Sequence, residues 1–222
     1  MKLSVVVPVV NEAGMVGATL HALAPLRAAG HEVIVVDGGS EDATREIAAP
    51  LADRVLIAPR GRAAQMNAGA AEATGAALVF LHADTRLPAR ADVLILDCLK
   101  THCWGRFDVR IEAAHPLLRV IAFAMNLRSR LTGIATGDQA IFVRRDAFPG
   151  FPEIALMEDV ALSKLMKRQS PPACLREKAV TSGRRWEQRG VLRTMLLMWR
   201  LRLGYFLGTD PDELARRYAN RA

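Results

Sequence analysis

The sequence predicts an α/β fold in which a mostly parallel sheet has helices on both faces. Apolar runs of strand length open the segments 3–12, 33–42 and 77–88, which then pass into polar residues, and segments with helical periodicity separate them. The runs are apolar without alternation, which is typical of strands buried on both faces. Strands that alternate with helices in this order favour a parallel sheet with right-handed crossovers.

The first half of the chain carries the alternating pattern. Residues 13–30 have apolar positions at helical spacing and close on a glycine, which predicts a helix. A short helix is expected at 40–48 and a third strand at 54–58. An alanine-rich helix is expected at 61–75, ending at Gly75. The predicted order up to the strand at 77–88 is therefore βαβαβαβ.

From about residue 89 the pattern changes. A helix is predicted at 91–100, a strand at 105–112 and a helix from 115 to about 131. Residues 137–145 predict a strand that is entered through a polar loop. A further helix is expected from 157 to about 167. The pattern thus extends the same domain, without a linker-like segment dividing it.

The C-terminal tail, residues 184–222, is predicted to be basic, amphipathic, helical and packed on a domain formed by residues 1–183. It holds nine arginines against four acidic residues, which accounts for most of the net charge of +7. Arginines interrupt the apolar helix expected at 190–208, so a transmembrane span is not predicted.

The helix at 190–208 has two apolar faces. One consists of Leu192, Met195, Leu196, Trp199, Leu203 and Phe206, and the other of Leu197, Met198, Leu201 and Tyr205. If one face packs on the domain, the other is left for a membrane surface or a homodimer contact. Both alternatives are open.

Composition limits the compartment and the partners. Three cysteines without paired spacing fit a reducing compartment, and the start of the chain lacks the pattern of a secretory signal. We therefore expect a cytoplasmic protein, with peripheral attachment to the inner face of the membrane as an option. No zinc-finger, helix-turn-helix or aromatic-basic pattern supports nucleic acid as a partner.

Three predicted strands end near a carboxylate. Glu12, Asp37 and Asp84 follow the first, second and fourth strands. In open α/β sheets, ligands bind outside the carboxyl ends of the strands. These side chains are therefore expected to meet a ligand or a metal ion rather than bulk solvent.

These motifs in order resemble a family 2 glycosyltransferase of the GT-A fold. The resemblance rests on VVVPVVNE, VIVVDGGSED, FLHADT at the position of the family's Asp-X-Asp motif, and MED at its Glu-Asp motif. Order and spacing agree across roughly residues 1–165. The segments GRAAQMN, GDQAIFVRR and GRRW are further similar to a short subgroup, the selenodomain-associated or arsenosugar-biosynthesis-type glycosyltransferases.

The resemblance implies a nucleoside diphosphate sugar as donor, with a UDP-sugar favoured, and a hydroxyl acceptor. It assigns Pro8, Glu12 and Asp37 to the nucleoside. Carboxylates accept hydrogen bonds from base N–H groups and ribose hydroxyls, so these roles are chemically reasonable. The alternatives are a helix-start charge for Glu12 and a turn-stabilising residue for Asp37.

Asp84 resembles the last carboxylate of the Asp-X-Asp motif, which implies a bound Mn²⁺ or Mg²⁺ that contacts the donor phosphates. His82 stands where the first aspartate of that motif usually lies. An imidazole can ligate Mn²⁺ or hydrogen-bond a ribose. It can equally be a satisfied histidine at a strand end, and both interpretations are open.

Asp159 is the predicted general base, with Glu158 as its alternative. In an inverting displacement a carboxylate takes the acceptor proton while the sugar carbon is attacked opposite the leaving nucleoside diphosphate. Acidic residues also suit the first turn of a helix, so a purely structural role is the other interpretation. The resemblance places Asp138 and Gln139 near the acceptor or the sugar.

Basic residues are predicted to contact the diphosphate. Arg62 follows Gly61 at a helix start, where backbone amides and a guanidinium can meet a phosphate, although a solvated cap is the alternative. Arg184, Arg185 and Trp186 resemble an Arg-Arg-Trp element placed over the diphosphate. The alternative for Trp186 is an anchor for the tail.

The expected function is metal-dependent, inverting glycosyl transfer. A nucleotidyltransferase is the rival enzyme, but its glycine-rich N-terminal loop of the type Gly-X-Gly-Thr-Arg is absent here. A nucleotide-sugar-binding protein without turnover is the rival from another class. His82 in the metal motif favours that second rival.

Overall fold

The computed structural model describes residues 1–219, so residues 220–222 of the predicted tail lie outside the described part. Its strands are β1 (Leu3–Val9), β2 (Glu32–Asp37), β3 (Arg54–Ile57), β4 (Ala77–Phe80), β5 (Thr85–Arg86), β6 (Trp104–Glu112), β7 (Ile141–Arg144) and β8 (Ala173–Ser182). Its α-helices are α1 (Ala13–Ala28), α2 (Thr44–Ala48), α3 (Arg62–Glu72), α4 (Ala91–Cys98), α5 (Leu117–Thr132), α6 (Glu158–Met166), α7 (Arg184–Arg189), α8 (Val191–Phe206) and α9 (Pro211–Ala219).

The strands form one eight-stranded sheet in the order β3-β2-β1-β4-β7-β6-β8-β5. The β3-β2-β1-β4 half is parallel, as predicted. Strand β7 is antiparallel to both β4 and β6, so the other half is mixed, and four of the seven strand pairs are parallel. The α/β prediction is confirmed, but the segment predicted as one strand at 77–88 contains two strands, β4 and β5, and β8 was not predicted.

Helices cover both faces of the sheet, as predicted. Val5 and Val7 of β1 enter a core cluster with Leu20 of α1 and residues of α4. Val6 points the other way, into a cluster formed with α3 and α6. This alternation is the two-residue period of a strand that is buried on both faces.

Helix α3 ends at Glu72 and not at the predicted Gly75, because Ala73 is already extended. Gly75 serves a close backbone approach instead. A Cβ atom on Gly75 would lie 2.7 Å from the carbonyl carbon of Leu3 and 2.7 Å from the amide nitrogen of Ser4. The glycine therefore allows the loop to cross over β1.

The described part of the tail packs on the sheet and on α6. Val191 of α8 contacts the cluster containing Leu118 of α5, and Leu197 and Leu201 pack with Met157 just before α6. The other apolar face of α8 is exposed, and it consists of Leu192, Leu196, Trp199, Leu203 and Phe206.

The domain boundary predicted between 183 and 184 falls between the end of β8 at Ser182 and the start of α7 at Arg184. The division into two units stays a prediction. Within residues 1–219, no helix combines the length and the apolar character that a membrane crossing requires.

The contact between α3 and the sheet gives a first prediction. A Cβ atom on Gly69 would overlap the side chain of Val6 and lie 2.9 Å from Cγ2 of Val36. We expect Gly69→Ala to lower the free energy of unfolding by about 1–3 kcal/mol, because the sheet side chains must shift. Urea unfolding followed by circular dichroism measures this change.

The matched control is Gly14→Ala in α1, where a Cβ atom meets nothing within 4 Å. Removing a helical glycine at an open position is expected to raise stability by up to about 1 kcal/mol. Equal effects of the two substitutions would contradict the close α3 packing.

Candidate active site

Polar residues from several elements converge beyond the carboxyl ends of β1 and β4. They line a cavity of about 120 Å³, formed by Pro8, Val9, Val10, Glu12, Arg62, Gln65, His82, Ala83, Asp84 and Arg185. The two strands are parallel neighbours, so the segments that follow them leave the sheet side by side. Six predicted site residues line this cavity, namely Pro8, Glu12, Arg62, His82, Asp84 and Arg185.

Hydrogen bonds between two loops hold Glu12 at the mouth of the cavity. Asn11 has a left-handed φ of 52°. Its N–H donates to Oγ of Ser40 at 2.9 Å, and its Oδ1 accepts from the N–H of Glu41 at 2.9 Å. The N–H of Glu12 donates to Oγ1 of Thr44 at 2.8 Å. The loop after β1 is thus fixed by the loop after β2.

Arginines of the tail reach the same mouth. Nη2 of Arg184 lies 3.3 Å from Oε2 of Glu12, and Nη2 of Arg185 lies 3.5 Å from Oε1. Glu12 therefore holds both guanidinium groups over the cavity. Trp186 does not line the cavity. It packs in the cluster with Ile111 and anchors α7, which is the alternative considered for it.

The structure does not bring Asp37 into the cavity. Its Oδ2 accepts from the N–H groups of Gly39 and Ser40, each at 3.0 Å, and the Ser40 hydroxyl donates to Oδ1. The side chain is 1% exposed. Both oxygens thus stabilise the Gly-Gly-Ser turn, which is the alternative considered for Asp37.

Gln65 lines the cavity, although the sequence analysis gave it no role. Its Nε2 donates to the carbonyl oxygen of Val9 at 2.9 Å and to that of Val36 at 2.7 Å. A Cβ atom on Gly38 would lie 2.9 Å from Oε1 of Gln65, so the glycine allows this approach. Gln65 thereby ties α3 to the ends of β1 and β2. Its place in the GRAAQMN motif was the only signal in the sequence.

The segment after β4 meets the turn before β7 through His82. Nδ1 of His82 lies 3.3 Å from Oδ1 of Asp138. A Cβ atom on Gly137 would overlap the imidazole, so only a glycine fits beside it. The N–H of Gly137 donates to Oδ2 of Asp159 at 3.0 Å. These contacts join the end of β4 to the start of α6.

Two adjacent carboxylates lie at the start of α6. Asp159 accepts hydrogen bonds from the N–H groups of Gly137 and Val160, the second at 2.7 Å. Burial nevertheless raises the pKa of Asp159. Burial, and next the charge of Asp159, raise the pKa of Glu158. The preceding Met157 has a φ of 70°, a conformation that a non-glycine residue rarely adopts outside constrained sites.

Arg62 faces these acidic groups. Arg62 is an exposed residue. Partial desolvation opposes its charge, but the charges of Glu158 and Asp138 outweigh this effect and raise the pKa of Arg62. The side chain of Asp138 is 40% exposed. Partial desolvation works against its ionisation, but the contact with His82 and the charge of Arg62 lower its pKa. Arg185 acts in the same direction. The charges of this cluster, on Arg62, His82 and Asp138, therefore link the cavity to the carboxylates of Glu158 and Asp159 on α6.

Of the predicted pair at the turn, Asp138 belongs to this cluster and Gln139 does not. Gln139 is fully buried. Its Oε1 accepts from the N–H of Thr136 at 3.1 Å, and its Nε2 donates to Oδ1 of Asn126 at 3.3 Å. Gln139 therefore stabilises the turn that presents Asp138.

Asp84 is the candidate metal ligand of the cavity. Among the described residues its carboxylate has one side-chain hydrogen bond, from the Thr85 hydroxyl at 3.4 Å. No group of three or more His, Cys, Asp or Glu side chains within residues 1–219 is arranged to hold a metal. Bound Mg²⁺ is typically held by one or two carboxylates together with substrate phosphates. Asp84 thus fits a cation that binds together with a diphosphate.

The raised pKa of Glu158 predicts a pH-dependent stability difference. A raised pKa means that the folded state binds the proton more tightly, so this group lowers stability as the pH rises from its ordinary value through the raised one. We expect Glu158→Gln to raise the free energy of unfolding at pH 7 by roughly 0.5–2 kcal/mol.

Thermal unfolding of parent and variant across the pH range measures this difference. The gain should vanish at a pH low enough to protonate Glu158 in both states. If the gain in the free energy of unfolding is constant with pH, or grows in acid, the pKa of Glu158 is not raised in the folded protein.

Comparisons with known proteins bear on the fold and on the N-terminal part of the chain. Residues 4–96 match the model of Glycosyl transferase family 2. A PGL/p-HBAD biosynthesis glycosyltransferase of Mycobacterium bovis (strain BCG / Pasteur 1173P2) is 38% identical over 91 residues, which are 38% of this chain and 36% of the relative. The match thus spans about a third of that relative's length.

Two solved structures share the fold. S. aureus TarS 1-349 in complex with UDP has a TM-score of 0.65 at 20% identity, over 82% of this chain and 60% of the other. The mannosyltransferase PcManGT from Pyrobaculum calidifontis in complex with GDP-Man and Mn²⁺ has a TM-score of 0.62 at 19% identity, over 99% and 69%. The chain therefore has the GT-A fold, and residues 4–96 within it match glycosyl transferase family 2.

Proposed function

We propose that this protein is an inverting glycosyltransferase that moves a sugar from a UDP-sugar to a hydroxyl acceptor. The observation that carries the proposal is the cavity beyond β1 and β4, where Arg62, Arg185 and Asp84 lie together. The TarS structure contains UDP and the PcManGT structure contains GDP-Man with Mn²⁺, and these neighbours of the same fold support a nucleotide sugar as the ligand. The GRAAQMN and GRRW segments favour the selenodomain-associated subgroup.

The donor diphosphate is proposed to bind between Arg62 and the arginines of α7. In the structure Glu12 pairs with Arg184 and Arg185 at 3.3 and 3.5 Å. Partly exposed ion pairs of this kind contribute only about 0–1 kcal/mol. A diphosphate can therefore replace Glu12 as the partner of these guanidinium groups with little loss of free energy. Glu12 can then accept a hydrogen bond from the nucleoside.

Asp84 is the residue proposed to hold Mn²⁺ or Mg²⁺, with the remaining ligands coming from the diphosphate and water. When bound, the cation would neutralise charge on the leaving nucleoside diphosphate. His82 is assigned to the nucleotide and not to the cation, because its Nδ1 already faces Asp138.

Asp159 is the proposed general base. The acceptor O–H gives its proton to the Asp159 carboxylate, and the oxygen forms a bond to the anomeric carbon. The bond from that carbon to the diphosphate breaks, and its electron pair leaves with the diphosphate. Backbone N–H groups of Gly137 and Val160 orient the carboxylate, and the raised pKa brings its basicity closer to neutral pH.

The base assignment gives a direct prediction. Asp159→Asn should bind UDP with the parent affinity but transfer sugar about 10²–10⁴-fold more slowly, because the acceptor proton has no acceptor group. Calorimetry with UDP and a UDP-release assay with a panel of UDP-sugars and acceptors measure the two quantities.

Glu158→Gln is the matched control, since it neutralises the adjacent carboxylate. Transfer at the parent rate by Asp159→Asn, with loss in Glu158→Gln, would assign the base to Glu158. A protein that binds UDP-sugars and never turns them over would be the binding-protein alternative, and it would contradict the proposed activity.

The metal assignment gives a second prediction for this site. EDTA and the substitution Asp84→Asn should each abolish UDP release, and added Mn²⁺ should restore the activity of the parent only. Asp97→Asn on α4, a highly exposed carboxylate, is the control that should not change activity. Full activity in EDTA would remove the metal from the mechanism.

We further propose a cytoplasmic protein whose tail lies on an anionic membrane surface. Trp199 and Phe206 are 63% and 66% exposed on the outer face of α8. Arg193 and Arg200 are exposed on the same helix. An exposed apolar face with arginines suits the interface of a membrane that carries negative lipids better than a second copy of an equally basic helix.

This placement predicts sedimentation with liposomes that contain phosphatidylserine, weakening as salt is raised. Replacing Trp199 and Phe206 with glutamine should abolish it. Ile57→Gln, which changes an exposed apolar residue of β3, is the control and should not. If the protein does not bind liposomes and is dimeric at micromolar concentration, the exposed apolar face of α8 is a subunit contact.

A further inference from the structure

Three buried side-chain atoms among residues 1–219 have no hydrogen-bond partner. They are Nε and Nη2 of Arg128 and Oγ1 of Thr194. Arg128 lies on α5 and Thr194 on α8, two helices that contribute Ala122 and Val191 to the same cluster. Buried donors that lack partners are rare in native proteins because each carries a desolvation cost. Such groups are candidates for completion by a ligand.

The protein does not neutralise the Arg128 guanidinium. Burial lowers the pKa of Arg128, Asp159 partly compensates, and Arg106 opposes the charge further. The neighbouring arginines are paired, since Arg106 and Arg130 share the carboxylate of Asp108. Within the described residues Arg128 has no ion pair of this kind.

The two unpaired nitrogens define the ligand chemistry. Nε and Nη2 lie on one edge of a guanidinium, and their N–H bonds are parallel. That edge matches two oxygens of a carboxylate or a phosphate, whereas a single hydroxyl would satisfy one donor only. An anion with two oxygens would therefore accept hydrogen bonds from both Nε and Nη2 of Arg128.

Arg128 lies on a helix that neighbours the one carrying Asp159, the group proposed to take the proton of the acceptor. Among the described residues, Asp159, the proposed base, is the acidic group whose charge favours the charged form of Arg128. Nζ of Lys164 on α6 lies 4.7 Å from the ring centroid of Tyr205 on α8. Nζ of Lys167, just after α6, donates to the carbonyl oxygen of Thr132 on α5. Helices α5 and α8 thus both contact α6, the helix that carries Asp159.

We infer that the hydroxyl acceptor carries a carboxylate or a phosphate, and that Arg128 binds it beside Asp159 through Nε and Nη2. The inference rests on the proposed function for the identity of the ligand as an acceptor. The anion site itself can be tested without turnover.

The test is calorimetric titration with inorganic phosphate and, separately, with glycerate, after saturation with UDP and Mg²⁺. At least one anion should bind the parent, and Arg128→Gln should weaken that binding by about tenfold or more. Arg119→Gln, which removes an exposed arginine of the same helix, should bind as the parent does. The two anions distinguish a phosphorylated acceptor from a carboxylated one.

Equal binding by parent and Arg128→Gln, or no binding of either anion, would overturn the inference. Arg128→Lys keeps the charge without the two-donor edge, and it should bind several-fold more weakly than the parent. If Arg128→Gln does not fold, equal binding by Arg128→Lys and parent would be contrary evidence. Failure of UDP to bind would instead contradict the proposed function, and the comparison at Arg128 would still decide the anion site.

Discussion

The antiparallel pairing of β7 with β4 is the constraint on which the candidate site depends. Ile141 pairs with Phe80, so the turn that precedes β7 lies beside the segment that follows β4. This neighbourhood produces the contact of His82 with Asp138 and the close fit of Gly137. Through the Gly137 N–H it also sets the position of Asp159. If β7 were parallel to β4, the turn that precedes β7 would lie at the other end of the strands, beside the start of β4.

The tail completes the site from the other side. Arginines of α7 reach Glu12 at the cavity, and α8 packs on Met157 just before the two carboxylates of α6. The part of the chain that carries the exposed apolar face is therefore joined both to the cavity and to the start of α6. In the proposed function, a surface that binds α8 would lie close to where the acceptor enters.

Local sequence was enough to predict the parallel half of the sheet and the polar segments after β1 and β4, because buried strands and their turns are encoded in short runs. It did not indicate that the oxygens of Asp37 accept hydrogen bonds from its own turn, or that Gln139 donates to Asn126 of α5. Strand β8 was missed because its middle is charged and partly exposed. In the described part of the chain, Arg128 lacks an ion pair because Arg106 and Arg130 both pair with Asp108. The spacing of residues along the sequence does not predict this choice of partners.

In the proposed function, the cavity beside Asp84 binds the diphosphate of the donor. A crystal structure of the protein with UDP and Mn²⁺ tests it most directly. The predicted result is a diphosphate between Arg62 and Arg185, with the cation on the Asp84 carboxylate and Glu12 released from the arginines of α7. UDP bound elsewhere, or a cation held without Asp84, would contradict the claim.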